Sequence, residues 1–172
     1  MRQAPGAPPS GTPRPALSWL GPAAGIMAAG TIAASVVAGP GPARGLRLLG
    51  AALGVLALPL AFLPFLTLRR RGGPAAGDSY MATTTVVDSG IYALVRHPQY
   101  LAYLAFMATF ALLAQRWWVT LPAAAAAVLL YRATLAEEAV CLERWGDEYR
   151  DYLRRIPRFN LAAGLLRRLR SR

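Results

Sequence analysis

The sequence contains no lysine, one cysteine and one histidine. One cysteine (Cys141) cannot form an intrachain disulfide, and a single cysteine with a single histidine (His97) cannot complete a Cys/His zinc site. Only 8 residues are acidic, whereas 19 are basic and all of these are arginine, so the formal net charge is +11. Charged residues make up 16% of the 172 residues, against roughly 25% in typical soluble domains. This composition argues against a soluble globular protein.

Long apolar runs take up much of the chain. Residues 17–37 and 46–68 carry no charged residue over 21 and 23 positions. A helix of about 20 apolar residues crosses the ~30 Å hydrocarbon layer of a membrane, so each run predicts a span. Pro59 and Pro64 lie in the second run, where membrane helices tolerate prolines that would break a helix in water.

Two shorter apolar runs, residues 100–114 and 117–131, predict a tight helical hairpin because only two residues separate them. Each run is short for a span, but a proline just before the first suits the first turn of a helix. An arginine just after the second can snorkel to the membrane surface and let that helix continue to residue 135. The sequence therefore predicts an all-α integral membrane bundle with four transmembrane helices.

The apolar runs divide the chain into four regions. Residues 1–16 are rich in proline and predict a disordered tail, and residues 17–68 hold the first two spans. Residues 69–160 hold a polar loop, the hairpin and a charged helix that ends at Pro157. Residues 161–172 alternate leucine with arginine, which predicts an amphipathic segment lying on anionic lipid headgroups.

The arginines are distributed unevenly about the four predicted spans. All but three of them, the exceptions being Arg44, Arg47 and Arg116, fall on the side that holds both termini and residues 69–99. The positive-inside rule places that side in the cytosol. The basic charge is thus explained by topology and by membrane lipids, and a nucleic-acid partner is not expected.

Two polar groups lie at the cytosolic ends of the hairpin. Arg96 and His97 precede the third span, and Glu137 and Glu138 follow the fourth. A hairpin brings both groups to one membrane face, where an amino group would suit the carboxylates and a carboxylate would suit the Arg-His pair and the helix amides. Successive residues of a helix point about 100° apart, so at most one of the two glutamates faces such a pocket squarely.

Simpler interpretations remain open at this point. The Arg-His pair is also compatible with interfacial anchoring, the two glutamates with a solvated helix, and the whole chain with a small membrane scaffold. The spacing of Asp88, Ser89 and His97 does not support a catalytic triad. Cys141 is expected to be a packing residue, and Asp151 with Arg155 to be an i,i+4 ion pair on the charged helix.

Three blocks in this order resemble the isoprenylcysteine carboxyl methyltransferase family, its bacterial relatives and, more distantly, the phospholipid N-methyltransferases. The family pattern G-x-Y-x-x-x-R-H-P-x-Y corresponds to residues 90–100. After the hairpin come the acidic pair and a Trp-Gly-Asp-Glu-Tyr box at residues 145–149. The resemblance covers roughly residues 80–159, which makes residues 69–160 the expected catalytic region.

The resemblance implies a multi-pass membrane methyltransferase of bacterial plasma-membrane type that uses S-adenosyl-L-methionine at a cytosolic site and has no Rossmann domain. Its methyl acceptor would be lipophilic, such as the carboxylate of an isoprenylated cysteine or of a similar small molecule. The enzymatic alternative is a phospholipid or amine N-methyltransferase, and the non-enzymatic one is a scaffold that retains the fold. Neither the acceptor nor the oligomeric state follows from the resemblance.

Site residues follow from the resemblance by position. His97 and the amides after it would hold the methionine carboxylate, and Glu137, supported by Glu138, would hold an amine or a ribose hydroxyl. Arg132 is the expected substrate contact, no metal is expected, and no residue is assigned a catalytic role. The expected cofactor contacts are Thr84, Thr85, Val86, Val87, Tyr92, His97, Pro98, Gln99, Tyr100, Glu137 and Glu138.

Overall fold

The computed structural model describes residues 19–73 and 83–170, and within these it contains α-helices, one short 3-10 helix and no strand. The prediction of an all-α fold is therefore confirmed. The proline-rich residues 1–16 and part of the polar loop lie outside the described residues. The helices are α1 (Leu20–Ala38), α2 (Arg44–Arg71), the 3-10 helix (Gly90–Ala93), α3 (Pro98–Ala114), α4 (Trp117–Arg155) and α5 (Leu161–Arg170).

Three described helices, α1, α2 and α4, are long and apolar enough to cross a membrane. α3 has 17 residues and rises only about 25 Å, less than the ~30 Å hydrocarbon layer. The four predicted apolar helices are all present, but one is shorter than a full span. α2 continues unbroken through Pro59 and Pro64, as expected for prolines in a membrane helix.

Small residues let the helices approach closely. α2 packs along α3, and α1 packs against α4. A Cβ at Gly50 of α2 would lie 2.9 Å from the Cβ of Leu112 of α3, and a Cβ at Gly54 would lie 3.1 Å from the Cγ2 of Thr109. Large side chains such as Phe62 point outward. A membrane bundle has this arrangement because lipid solvates the large apolar side chains while small residues sit between helices.

The two turns at the end of the bundle remote from the polar loop are bonded to each other. α3 and α4 are separated by two residues, of which Gln115 adopts a left-handed conformation with φ 53°. Its amide side chain donates to the carbonyl of Ala43 at 2.9 Å and accepts from the Ala43 N–H at 2.9 Å. The N–H of Gly41 also donates to the carbonyl of Leu113 at 2.8 Å. The α1–α2 turn is thereby attached to the α3–α4 turn.

α4 is longer than the sequence predicts. The fourth span and the following charged helix form one element that ends just before Pro157, and its only non-helical residue is Gly146 (φ 53°, ψ −123°). The expected Asp151–Arg155 side-chain pair is wrong. Arg155 donates instead to the backbone carbonyl of Asp151, and its guanidinium lies 3.4 Å from the carboxylate of Asp88 in the loop before α3. A loop carboxylate competes with the neighbour on the helix.

Candidate functional site

The loop that leads into α3 is held by the chain segment that follows α4. The backbone N–H of Arg96 donates to the carbonyl of Pro157 at 3.0 Å, and that of His97 donates to the carbonyl of Arg158 at 3.3 Å. Pro98 then occupies the first turn of α3, where its missing N–H costs nothing. These bonds fix the side chains of residues 96–98 at the start of α3.

A buried ion cluster centres on Glu138 of α4. Its Oε1 lies 3.0 Å from Nε2 of His97 and 3.0 Å from Nη1 of Arg96. Arg158 donates through Nε to Oε1 at 3.0 Å and through Nη2 to Oε2 at 2.5 Å, a two-point pairing. The Glu138 side chain is only 8% exposed. One carboxylate thus joins α4, the loop before α3 and the segment after α4.

The cluster carries more positive than negative charge. Burial alone would raise the pKa of Glu138, but the hydrogen bonds from His97 and Arg158 and the charge of Arg96 outweigh it and lower the pKa to about 2. Glu138 is therefore ionised at neutral pH. It faces two arginines, so a net positive charge remains at the loop and favours an anionic group nearby.

A pocket of about 490 Å³ opens beside this cluster, between the loop, the start of α3 and the second half of α4. This volume is within the range of roughly 300–1,000 Å³ typical of small-molecule sites. The lining is mainly apolar and aromatic, with a few charged groups. It consists of Leu68, Thr83, Thr85, Val86, Val87, Tyr92, Arg96, His97, Pro98, Gln99, Tyr100, Glu137, Val140, Cys141, Arg144, Trp145, Tyr149 and Tyr152.

All but two of the expected cofactor contacts line this pocket. Those present are Thr85, Val86, Val87, Tyr92, His97, Pro98, Gln99, Tyr100 and Glu137. Thr84 lies outside it, with its hydroxyl donating to the carbonyl of Gly73 at 3.1 Å. Glu138 is in the ion cluster, and the expected substrate contact Arg132 is exposed and does not line the pocket. The adjacent glutamates diverge, as the turn of about 100° per residue requires.

The second half of α4 supplies lining residues that the sequence analysis did not assign to the site. Cys141 and Trp145 continue the face of Glu137 at intervals of four residues, and after the break at Gly146 the lining continues with Tyr149 and Tyr152. That periodicity is visible in the sequence and is the signal that finds them. Arg158 has no comparable signal because its contact depends on how the chain folds back after α4.

The thiol and the two phenol groups on this face of α4 are neutral at physiological pH. Burial raises the pKa of Cys141 to about 12, with the charge of Glu137 adding to the effect. Burial likewise raises the pKa of Tyr149 and Tyr152, and the Tyr152 hydroxyl donates to the carbonyl of Tyr92 at 2.9 Å. Cys141 is thus a thiol without thiolate character, in keeping with a packing role.

Two lining arginines offer positive charge to a ligand. Nε of Arg96 is buried and has no hydrogen-bond partner within the protein. The guanidinium of Arg144 lies 4.7 Å from the ring centroid of Trp145, a cation–π contact at the pocket wall. Across residues 19–73 and 83–170, no set of three or more His, Cys, Asp and Glu side chains is placed to hold a metal ion.

Comparison with known proteins gives one match. The model of a family described as phospholipid methyltransferase matches residues 46–148, which run from the start of α2 to just beyond Gly146. This range is well over half of the chain. It includes every predicted site residue and supports the broader group of membrane methyltransferases, without singling out the isoprenylcysteine carboxyl methyltransferases. Neither the comparison with curated proteins nor that with solved structures gives a match.

Proposed function

The chain belongs to the phospholipid methyltransferase family, and from this we propose that it transfers a methyl group from S-adenosyl-L-methionine to a lipophilic acceptor in the membrane. The observation that carries the proposal is the composition of the pocket. It combines an arginine with a spare buried N–H, a carboxylate and a mainly apolar and aromatic wall, at the ends of apolar helices.

The carboxylate of the cofactor would bind at Arg96. Nε2 of His97 is already engaged by Glu138, so a singly protonated His97 has no further N–H to donate. Arg96 uses Nη1 for Glu138 while its buried Nε has no partner. We therefore assign the main charge contact to Arg96, with His97 orienting it through the shared carboxylate. This modifies the role that the family resemblance gives to His97.

The remaining parts of the cofactor match the other lining residues. Glu137 supplies a carboxylate for an ammonium group or for ribose hydroxyls. Val86, Val87, Tyr92 and Trp145 supply apolar and aromatic surface on which an adenine ring can stack. The donor set of this pocket therefore fits a molecule that carries a carboxylate, an ammonium, hydroxyls and an aromatic base.

The protein's part in the reaction is alignment and exclusion of water. The sulfonium of the cofactor supplies a methyl group that already has its leaving group. Holding donor and acceptor in line contributes up to about 7–11 kcal/mol toward the barrier. The neutral state of Cys141 and Tyr149 keeps these side chains from competing with the acceptor as nucleophiles.

We assign the anionic part of the acceptor to Arg144 instead of Arg132. Arg144 lines the pocket, with its guanidinium held against Trp145, whereas Arg132 is exposed and outside it. A guanidinium binds carboxylates and phosphates alike. The assignment therefore suits both a lipophilic carboxylic acid and a phospholipid.

Two acceptor classes have separate support. A carboxylate needs no general base, and the imidazole of His97, the only histidine in the sequence, is already engaged by Glu138. This favours carboxyl methylation. The family match favours N-methylation of an aminophospholipid, in which an ammonium group must lose a proton before it attacks.

Methyl transfer in lipid nanodiscs tests both classes. The purified protein is incubated with cofactor labelled in the methyl group and with either an N-acetyl prenylcysteine or phosphatidylethanolamine. Mild base releases methanol from a methyl ester but leaves an N-methyl group intact, so alkali treatment identifies the product. We expect labelled lipid above the level of a protein-free control, with base-labile label indicating a methyl ester and base-stable label indicating N-methylation. The absence of both kinds of label from a folded preparation would contradict the proposal.

Two arginine substitutions test which side chain contacts the methyl acceptor. Arg144→Gln is expected to raise the KM of the acceptor about tenfold while the KM of the cofactor stays nearly constant, because one charge-assisted contact is removed. Arg132→Gln removes a matched charge outside the pocket and is expected to leave both values within about twofold. The reverse pattern would restore Arg132 as the substrate contact.

A further inference from the structure

The helix α5 packs through one narrow face against residues 93 and 94 of the loop before α3. Gly164 lies so close to Leu94 that a Cβ at position 164 would be 1.8 Å from the Leu94 carbonyl oxygen. Nη2 of Arg167 donates to the carbonyl of Ala93 at 2.5 Å. Residues 93 and 94 lie in the short segment between Tyr92 and Arg96, both of which line the pocket. A helix outside the pocket thus supports the backbone that carries part of its wall.

The opposite face of α5 is apolar and exposed. Leu165, Leu166 and Leu169 are 50%, 56% and 60% exposed. At about 100° per residue these leucines occupy an arc of roughly 100°, whose centre lies about 180° from the face formed by Gly164 and Arg167. Three exposed leucines on one side of a ten-residue helix form an apolar surface that no described residue covers.

The charges of α5 indicate that this apolar surface contacts anionic lipid. The helix contains three arginines and no acidic residue. On the same helical projection Arg168 and Arg170 lie on either side of the leucine arc. Apolar residues flanked by arginines are typical of helices that lie in the headgroup layer of anionic membranes. The loop under α5 leads directly into the apolar helix α3, so a bilayer surface is adjacent.

We propose that α5 inserts its leucine face into the anionic lipid surface beside the bundle and thereby holds residues 93 and 94 in the position that completes the cofactor pocket. Membrane composition would then regulate the order of the pocket. The effect on methyl transfer rests on the proposed function. The coupling between α5 and the loop rests only on the contacts of Gly164 and Arg167.

Hydrogen exchange measured without cofactor tests this coupling. The full chain is placed in nanodiscs of phosphatidylcholine alone and in nanodiscs with about a third of it replaced by phosphatidylglycerol. We expect backbone exchange in residues 161–170 and in residues 91–97 to be about tenfold slower in the anionic discs, because the two arginines that flank the leucine face gain contact with anionic headgroups there. Since no cofactor is present, failure of cofactor binding does not affect this measurement.

Two double variants locate the effect on the leucine face. Leu165→Ser with Leu169→Ser removes apolar surface and is expected to abolish the lipid-dependent slowing at both segments. Leu165→Met with Leu169→Met keeps the surface apolar and is expected to retain it. Equal exchange of the wild type in both lipids would overturn the proposal. Slowing of residues 161–170 without any change in residues 91–97 would also overturn it, because the coupling would then be absent.

Discussion

At the scale of single residues, Glu138 connects parts of the chain that are distant in sequence. Its carboxylate forms an ion pair with Arg96, and it is hydrogen-bonded to His97 in the loop and to Arg158 after α4. A buried carboxylate with three cationic or hydrogen-bonding partners is stable only while all three are present, because a missing partner leaves a charge without compensation. The site therefore depends on a residue that does not itself line the pocket.

Replacing this carboxylate should destabilise the protein strongly. Glu138→Gln leaves two buried or half-buried arginines without a counter-charge, which we expect to cost about 2–4 kcal/mol and to lower Tm by roughly 5–10 °C. Thermal unfolding in nanodiscs measures this. Glu148→Gln, an exposed glutamate on the same helix, is the matched control and should change Tm by less than about 2 °C. Equal effects of the two substitutions would contradict the central role of Glu138.

The same cluster makes stability depend on acid. The pKa of Glu138 is lowered from its ordinary value of 4.5 to about 2 in the folded protein. The stabilisation is therefore fully present above pH ~4.5 and is lost as the pH falls from there toward ~2. We expect the Tm of the wild type to fall more steeply between pH 5 and pH 3 than that of Glu138→Gln. Parallel slopes would show that other carboxylates account for the acid sensitivity.

At the scale of the elements, Gly146 interrupts α4 between two parts of the pocket wall. Its φ of 53° and ψ of −123° are accessible to glycine but strained for other residues. Glu137 and Cys141 lie before it and Tyr149 lies after it, so this residue sets the direction in which the last part of the wall points.

Two glycine substitutions at uncrowded positions isolate the effect of backbone strain. No atom lies within 4 Å of a Cβ built at Gly146 or at Gly30 of α1, but only Gly146 has a positive φ. We expect Gly146→Ala to destabilise by about 1–3 kcal/mol through strain. Gly30→Ala should be neutral or stabilise by up to about 1 kcal/mol through helix propensity. An equal decrease in Tm for the two variants would show that the positive φ of Gly146 is not the cause of the destabilisation.

The hydrogen bonds between Gln115 and Ala43 join the α3–α4 turn to the α1–α2 turn, and two substitutions of Gln115 measure their contribution to stability. Gln115→Ala and Gln115→Gly both remove the two hydrogen bonds to Ala43, at an expected cost of about 1–2 kcal/mol. Glycine also relieves the left-handed backbone of this residue. Thermal unfolding should therefore rank wild type above Gln115→Gly, and Gln115→Gly above Gln115→Ala. A Tm for Gln115→Ala equal to that of the wild type would show that these hydrogen bonds contribute nothing to stability.

The helices were predictable because their signals are local. Uncharged runs and the proline at the start of α3 place α1 to α3 within a few residues of their observed ends. The continuity of α4 was not predicted, because the change from apolar to charged composition near residue 135 resembles a boundary although the backbone hydrogen bonds continue. Composition indicates the environment of a helix better than it indicates the end of a helix.

The loop side of the pocket was predictable, but on α4 only Glu137 was assigned to it. On the loop side, the lining residues 85–87, 92 and 97–100 were assigned from the family resemblance. Arg158 and the contact between Gly164 and Leu94 depend on the chain folding back after Pro157, and no local pattern encodes that return. The same limit explains why Asp88, which is remote in sequence, replaces Asp151 as the side-chain partner of Arg155.

At the scale of the whole molecule, the bundle separates an apolar body from a polar site at one end. α1 to α4 supply apolar surface for a membrane, while the ion cluster, the pocket and α5 gather where the loop meets α3 and α4. This arrangement would let a polar cofactor and a lipophilic acceptor reach one site from two different phases. The arginine excess of the chain fits the same picture, since the cluster and α5 each concentrate positive charge at that end.

Titration calorimetry with S-adenosylhomocysteine in nanodiscs tests whether the pocket binds the cofactor. We predict saturable binding of one molecule per chain. Arg96→Gln and Glu137→Gln should each weaken it at least about tenfold through loss of a charge-assisted contact, whereas Arg132→Gln should leave it unchanged. The account would be contradicted by a folded wild-type protein that shows no saturable binding, or by equal affinities across all four proteins.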